Sequence, residues 1–184
     1  MKYNFGCGKK SMSGFTNVDV IDTMGNVDIV HDLTEVPYPF AKEGEAEQII
    51  SVEFLEHISF RDIDKVLKEW YRILGFGGKL VIQVPDCGKA MEYYVNKQIC
   101  DCVPHKAEKP EYFKANEKCP NCNGRGMINP VRWIFSFLGA QKNPYDLHQN
   151  IFTKESMENE LKNAGFRNIN FREHIYKIIV ECEK

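Results

Sequence analysis

Carboxylates placed just behind short apolar runs recur along this chain. Asp19 follows Thr16-Asn17-Val18, Asp32 follows Ile29-Val30-His31, Glu53 follows Ile49-Ile50-Ser51-Val52, and Asp86 follows Val84-Pro85. Ahead of them, Gly6-Cys7-Gly8 ends the first apolar run. Glycine lets backbone come close to a ligand, and a carboxylate accepts hydrogen bonds from hydroxyl, amino or ammonium groups. One ligand carrying sugar hydroxyls, an amino group and an ammonium would use the whole series.

A second group of residues points to metal. Cys100-Asp101-Cys102 and Cys119-Pro120-Asn121-Cys122 are two close pairs with residues 103–118 between them. Four thiolates spaced in this way suit a closed, tetrahedral, structural zinc, and the glycines of Asn123-Gly124-Arg125-Gly126 let backbone turn around it. His105 is a spare ligand. The alternative is a set of free or disulfide-bonded thiols, which a reducing compartment disfavours. The stretch is polar and poor in aliphatic residues, so it is expected to be a zinc-binding insertion at about 98–127.

The elements that must position these groups are legible from periodicity. Lys2 to Phe5, Thr16 to Ile21, Val27 to Val30, Glu47 to Val52 and Leu80 to Val84 read as strands. Ile63, Val66, Leu67, Trp70, Ile73 and Leu74 recur at helical spacing, with Ser59 and Asp62 as an expected capping box and Gly75 as the expected left-handed end. Periodicity is weak from Cys87 to Met127; Asn129-Pro130 then opens an expected helix closed by Gly139. A last helix is expected from Thr153, capped by Gly165-Phe166, followed by strands Asn168 to Arg172 and Lys177 to Glu181. Alternation of this kind predicts an α/β fold: a mostly parallel sheet with helices on both faces and a C-terminal antiparallel hairpin. Ligands of such sheets sit at the carboxyl ends of the strands, where the acidic series lies.

The chain has 184 residues, 43% of them hydrophobic, enough for one substantial core and so for one domain over 1–184. With 24 basic and 26 acidic residues the formal net charge is -2, which disfavours nucleic acid or anionic lipid as partner. Neither a signal-peptide pattern nor an apolar run of membrane-spanning length is present in the sequence, so a cytoplasmic location is expected.

In the order of its motifs the sequence resembles the class I S-adenosylmethionine-dependent methyltransferases, especially small bacterial and phage members with a short first crossover. Asn4-Phe5-Gly6-Cys7-Gly8 is similar to the first motif, Asn17-Val18-Asp19 to the ribose-binding strand, and His31-Asp32-Leu33 to the adenine-side motif. Glu53-Phe54-Leu55-Glu56-His57-Ile58 is similar to the segment after the fourth strand, and Leu74-Gly75-Phe76-Gly77-Gly78 to the turn before the fifth. The resemblance implies a Rossmann-like fold and a cofactor site made by Asn4, Gly6, Cys7, Gly8, Asp19, Asp32, Leu33, Glu53 and His57. In two places the chain departs from the pattern: Asn4 stands where an acidic residue is frequent, and only residues 6–15 link the first two strands, where a parallel crossover usually takes about a dozen residues or more.

Methyl transfer from a sulfonium needs alignment more than a dedicated nucleophile, and a hydroxyl acceptor gains from a general base. Histidine suits that work, so His148 is the first candidate, with Asp86 second. The plainer alternative makes Asp146 and His148 loop groups that cap the helix near Thr153. His57 reads as structural or cofactor-adjacent. Trp133, Phe137, Tyr145 and Phe152 are candidates for a mouth taking a sugar or other small-molecule hydroxyl, and equally for core. One rival reading is a zinc-containing binding module on a degenerate methyltransferase scaffold. Another, a nicotinamide-dependent oxidoreductase, lacks the third glycine of its phosphate fingerprint.

Overall fold

The computed structural model describes residues 1–96, 137–139, 141, 144–174 and 176–184. The four cysteines of the expected zinc insertion, His105, Trp133 and the helix expected from Pro130 lie outside the described residues.

Strands β1 (Lys2–Phe5), β2 (Thr16–Asp19), β3 (Ile29–Val30), β4 (Ala46–Val52), β5 (Leu74–Pro85), β6 (Arg167–Arg172) and β7 (Lys177–Glu183) form a seven-stranded sheet in the order β3-β2-β1-β4-β5-β7-β6. The first five run parallel, and β7 inserts antiparallel between β5 and β6, making the expected closing hairpin. Register puts Tyr3, Ile49 and Leu80 side by side, and Ile82 beside Val180. Helices α1 (Ile63–Ile73) and α3 (Lys154–Ala164) pack on each other and over this face, and Trp70 lies against Phe5 at a ring separation of 5.5 Å. Helix α2 (Cys87–Asn96) follows β5 directly, where the sequence shows only weak periodicity.

The short first crossover is held by amides instead of a helix. Asn4 and Asn17 are register partners on β1 and β2, both buried, and Asn4 Nδ2 donates to Asn17 Oδ1 at 2.9 Å and to Lys10 O at 3.0 Å. Asn17 Oδ1 also accepts from Met12 N–H at 2.7 Å, while Asn17 Nδ2 donates to Asp28 Oδ2 at 2.9 Å. A buried amide with its donors and acceptors satisfied fixes a unique loop path. Residues 6–15 can therefore return to the sheet without a covering helix.

Two helix ends differ from expectation. Asp62 is the N-cap of α1 but makes no side-chain cap, and Ser59 contributes its carbonyl to Asp62 N–H at 2.8 Å instead of a capping box. At the other end Leu74 turns straight into β5 with φ −66°, so Gly75 is needed for space: a Cβ there would sit 2.9 Å from Gly44 O. Helix α3 matches its signals, with a Thr153–Ser156 capping box and Gly165 left-handed at φ 105°.

Candidate active site

The carboxyl ends of β1 to β4 open onto a cavity of about 840 Å³, inside the range of about 300–1,000 Å³ usual for small-molecule sites. Gly6, Gly8, Asp19, Asp32, Leu33, Glu53 and His57 line it, together with Phe54, Tyr145, Asp146 and Gln149. Val20 and Ile21, expected to continue β2, leave the sheet and join this lining.

Gly6 forms the floor. Its φ is +66°, and a Cβ would fall 2.2 Å from the Phe54 ring, so neither the backbone conformation nor the space admits a side chain. Asp19 Oδ2 accepts from Gly8 N–H at 2.7 Å and locks the glycine turn to the end of β2. Asp32 Oδ1 accepts from Thr34 N–H at 2.9 Å and Thr34 Oγ1 at 2.8 Å, which holds an otherwise exposed carboxylate at the rim. Behind it, Tyr38 donates its hydroxyl to Leu33 O and accepts from Trp70 Nε1, so the loop bearing Asp32 is tied to α1. Glu53 adopts φ 55°, and its Oε1 accepts from Gln83 Nε2 at 3.2 Å and Lys177 Nζ at 3.1 Å. A non-glycine residue held left-handed at a strand end carries backbone strain that recurs at functional sites.

Three residues expected here lie elsewhere. Asn4 is consumed by the amide network under the glycine turn. Cys7 is buried, and burial together with the charge of Asp19 pushes its thiol up to about 11. Asp86 is 4% exposed and stands outside the cavity lining, its Oδ1 accepting from Lys89 N–H at 3.0 Å at the start of α2. Phe152 belongs to the core, whereas Tyr145 is exposed at the cavity.

His148 stands one layer behind the wall. Its ring meets that of His57 edge to face at 4.8 Å. His57 Nδ1 lies 3.3 Å from Leu147 O, and His57 O accepts from Gln149 Nε2 at 3.0 Å. Sequence reasoning missed Glu56, whose carbonyl accepts from both Gln149 N–H and Asn150 N–H and so pins the His148 loop to the 3-10 turn Leu55–His57. Its carboxylate is buried at 2% exposure, and neither oxygen has a hydrogen-bond partner among the described residues. Burial, with the charge of Glu53 adding to it, pushes this carboxyl up to about 8. The only hint in the sequence is an acidic residue between the apolar Leu55 and the His57 of the wall.

Among solved structures, a SAM-dependent methyltransferase from Thermotoga maritima shares 15% identity at a TM-score of 0.57, covering 100% of this chain and 81% of that one. Another from Mesorhizobium loti gives 13% and 0.57, with coverage of 100% and 90%. Human N-acetylserotonin methyltransferase, solved with SAM, gives 15% and 0.53, with coverage of 100% and 47%. These likenesses are of fold. No curated protein matches the chain. The family model described as a methyltransferase domain matches residues 4–170, from the amide that supports the glycine turn to the closing hairpin, and this protein belongs to that family.

Proposed function

We propose that the protein transfers a methyl group from S-adenosylmethionine to a hydroxyl of a sugar or other small molecule. The observation that carries the cofactor reading is convergence: Asp19, Asp32 and Glu53 come from three successive strand ends to one cavity whose glycine floor admits no side chain. The donor set fits such a cofactor, since rim carboxylates suit ribose hydroxyls and an amino group, and the Gly6–Gly8 backbone is open to close approach. When bound, the cofactor supplies a sulfonium-activated methyl group.

The chain's own residues then have to align and to accept a proton. Asp19 and Asp32 orient the nucleoside end from fixed positions, because each is held by backbone N–H groups. Tyr145 and Gln149, both exposed, line the cavity together with His57, where an acceptor would enter. His57 at the wall and His148 behind it are the groups to receive the acceptor's proton, with His148 as base in contact with the cavity through His57. We further propose that Cys100, Cys102, Cys119 and Cys122 hold a structural zinc, and that the protein works in the reducing cytoplasm. The buried thiols of Cys7, Cys87 and Cys182, unpaired among the described residues, suit such a compartment.

Isothermal calorimetry with S-adenosylmethionine tests the cofactor reading. Micromolar binding that weakens at least about tenfold in Asp32→Ala is expected, a loss of about 1.4 kcal/mol. Absence of binding at millimolar cofactor would sink it. Elemental analysis of protein purified without added metal should find close to one zinc per chain; a value near zero removes the zinc proposal.

A further inference from the structure

We propose that Glu56, His57 and His148 form a binding site for a divalent transition cation at the wall of the cavity. One ligand atom from each residue lies within 4.8 Å of the others. Two imidazoles and a carboxylate are a donor set that suits zinc, iron or cobalt and leaves coordination positions open, unlike a closed set of four thiolates.

The second observation is the state of Glu56. Both carboxylate oxygens are buried without a hydrogen-bond partner among the described residues, on a residue 2% exposed. A buried, unpartnered carboxylate is unfavourable, and a cation satisfies it more fully than a single hydrogen bond. The neighbouring Lys177 does not do this, because its Nζ pairs with Glu53 at 3.1 Å.

The surroundings are also built for ligation. Gln149 N–H and Asn150 N–H both bond to Glu56 O, and His148 N–H donates to Leu138 O at 3.4 Å, so backbone holds the two halves of the site together. His57 Nδ1 sits against Leu147 O, and a ring that donates there offers its other nitrogen as ligand. That carbonyl contact is the outer-shell arrangement usual for ligating histidines.

His57 faces the cavity, so an open coordination position would meet an acceptor oxygen there. A bound cation lowers the pKa of such a hydroxyl and orients it. With the cation in place His148 is a ligand, and the work of a base passes to the cation's acidifying effect. This goes beyond the methyl-transfer reading: of the three ligands only His57 also lines the cofactor cavity, and Glu56 and His148 stand outside its lining.

The test is titration of the full, reduced chain with cobalt(II), followed by absorption. Thiolate-bound cobalt gives intense near-ultraviolet charge transfer, whereas nitrogen and oxygen ligands give only weak visible bands, so the cysteine cluster and this site are read separately. The expected result is about one equivalent of cobalt without thiolate character, its affinity reduced about 10- to 100-fold in Glu56→Gln and in His57→Ala. Cobalt bound only with thiolate character overturns the proposal. So does unchanged non-thiolate binding in the His57→Ala, His148→Ala double variant. Should a histidine variant unfold, hyperfine-shifted imidazole N–H signals in the NMR spectrum of cobalt-loaded wild type decide the matter, their absence counting against it. Calorimetry of S-adenosylmethionine in the presence of chelator reports on the methyltransferase reading alone, so either can fail without the other.

Discussion

Two buried glutamates sit on either side of the start of α1, and they are in opposite electrostatic states. Glu69, 6% exposed, accepts from Tyr38 N–H at 2.7 Å, from Arg72 Nε at 2.8 Å and from Arg72 Nη2 at 2.7 Å. Burial pushes its carboxyl up, but these hydrogen bonds and the Arg72 charge outweigh it and hold it below the usual range. Glu56, 2% exposed, has no such partner, and its carboxyl is pushed up instead. Burial alone therefore says nothing about role. Partner accounting separates a carboxylate that ties the Tyr38 loop to α1 from one that has no hydrogen-bond partner among the described residues.

The comparison makes predictions of opposite sign. Glu69→Ala leaves Arg72 half-buried without its partner and orphans Tyr38 N–H, so it should lose about 3 kcal/mol of stability in urea denaturation. The lost tether should also loosen the Asp32 rim and weaken cofactor binding. In chelator, Glu56→Gln should be neutral or stabilising by up to about 1 kcal/mol, since no hydrogen bond is broken. A loss as large as that of Glu69→Ala would show that Glu56 is a structural acceptor after all and erase the contrast.

The difference between the two glutamates was also a difference in legibility. Glu69 falls on the apolar-spaced helix, and the strand ends that carry Asp19, Asp32 and Glu53 were marked by short apolar runs, because a buried parallel strand leaves a strong local signal. Thr153 and Gly165 announced α3 through cap chemistry that is local by nature. What the sequence hid depends on contacts between distant residues. The amide network of Asn4 was hidden because its partner Asn17 is defined only once β1 and β2 pair. The hydrogen bond of Asp86 at the start of α2 was hidden because α2 has little periodicity. Glu56 was passed over because its meaning lies in a missing partner and in His148, a residue far along the chain that the fold returns to it.

The most conservative change at Glu69 sharpens the comparison most. Glu69→Gln keeps the volume of the side chain and one acceptor oxygen, but it removes the charge and turns an NH2 toward the Arg72 donors; at neutral pH it should cost about 1.5 kcal/mol, the lower end for a hydrogen bond to a charged group. Because the carboxyl is held below its ordinary value in the folded state, its charge contributes stability that is fully present above the unfolded-state pKa and is lost as pH falls through the folded one. The stability gap between wild type and Glu69→Gln, measured by urea midpoints, should therefore be constant from neutral pH down to the ordinary carboxylate range. Below that range it should close. A gap that persisted unchanged into strong acid would mean that Glu69 works through its shape and not its charge. The two glutamates would then differ only in packing.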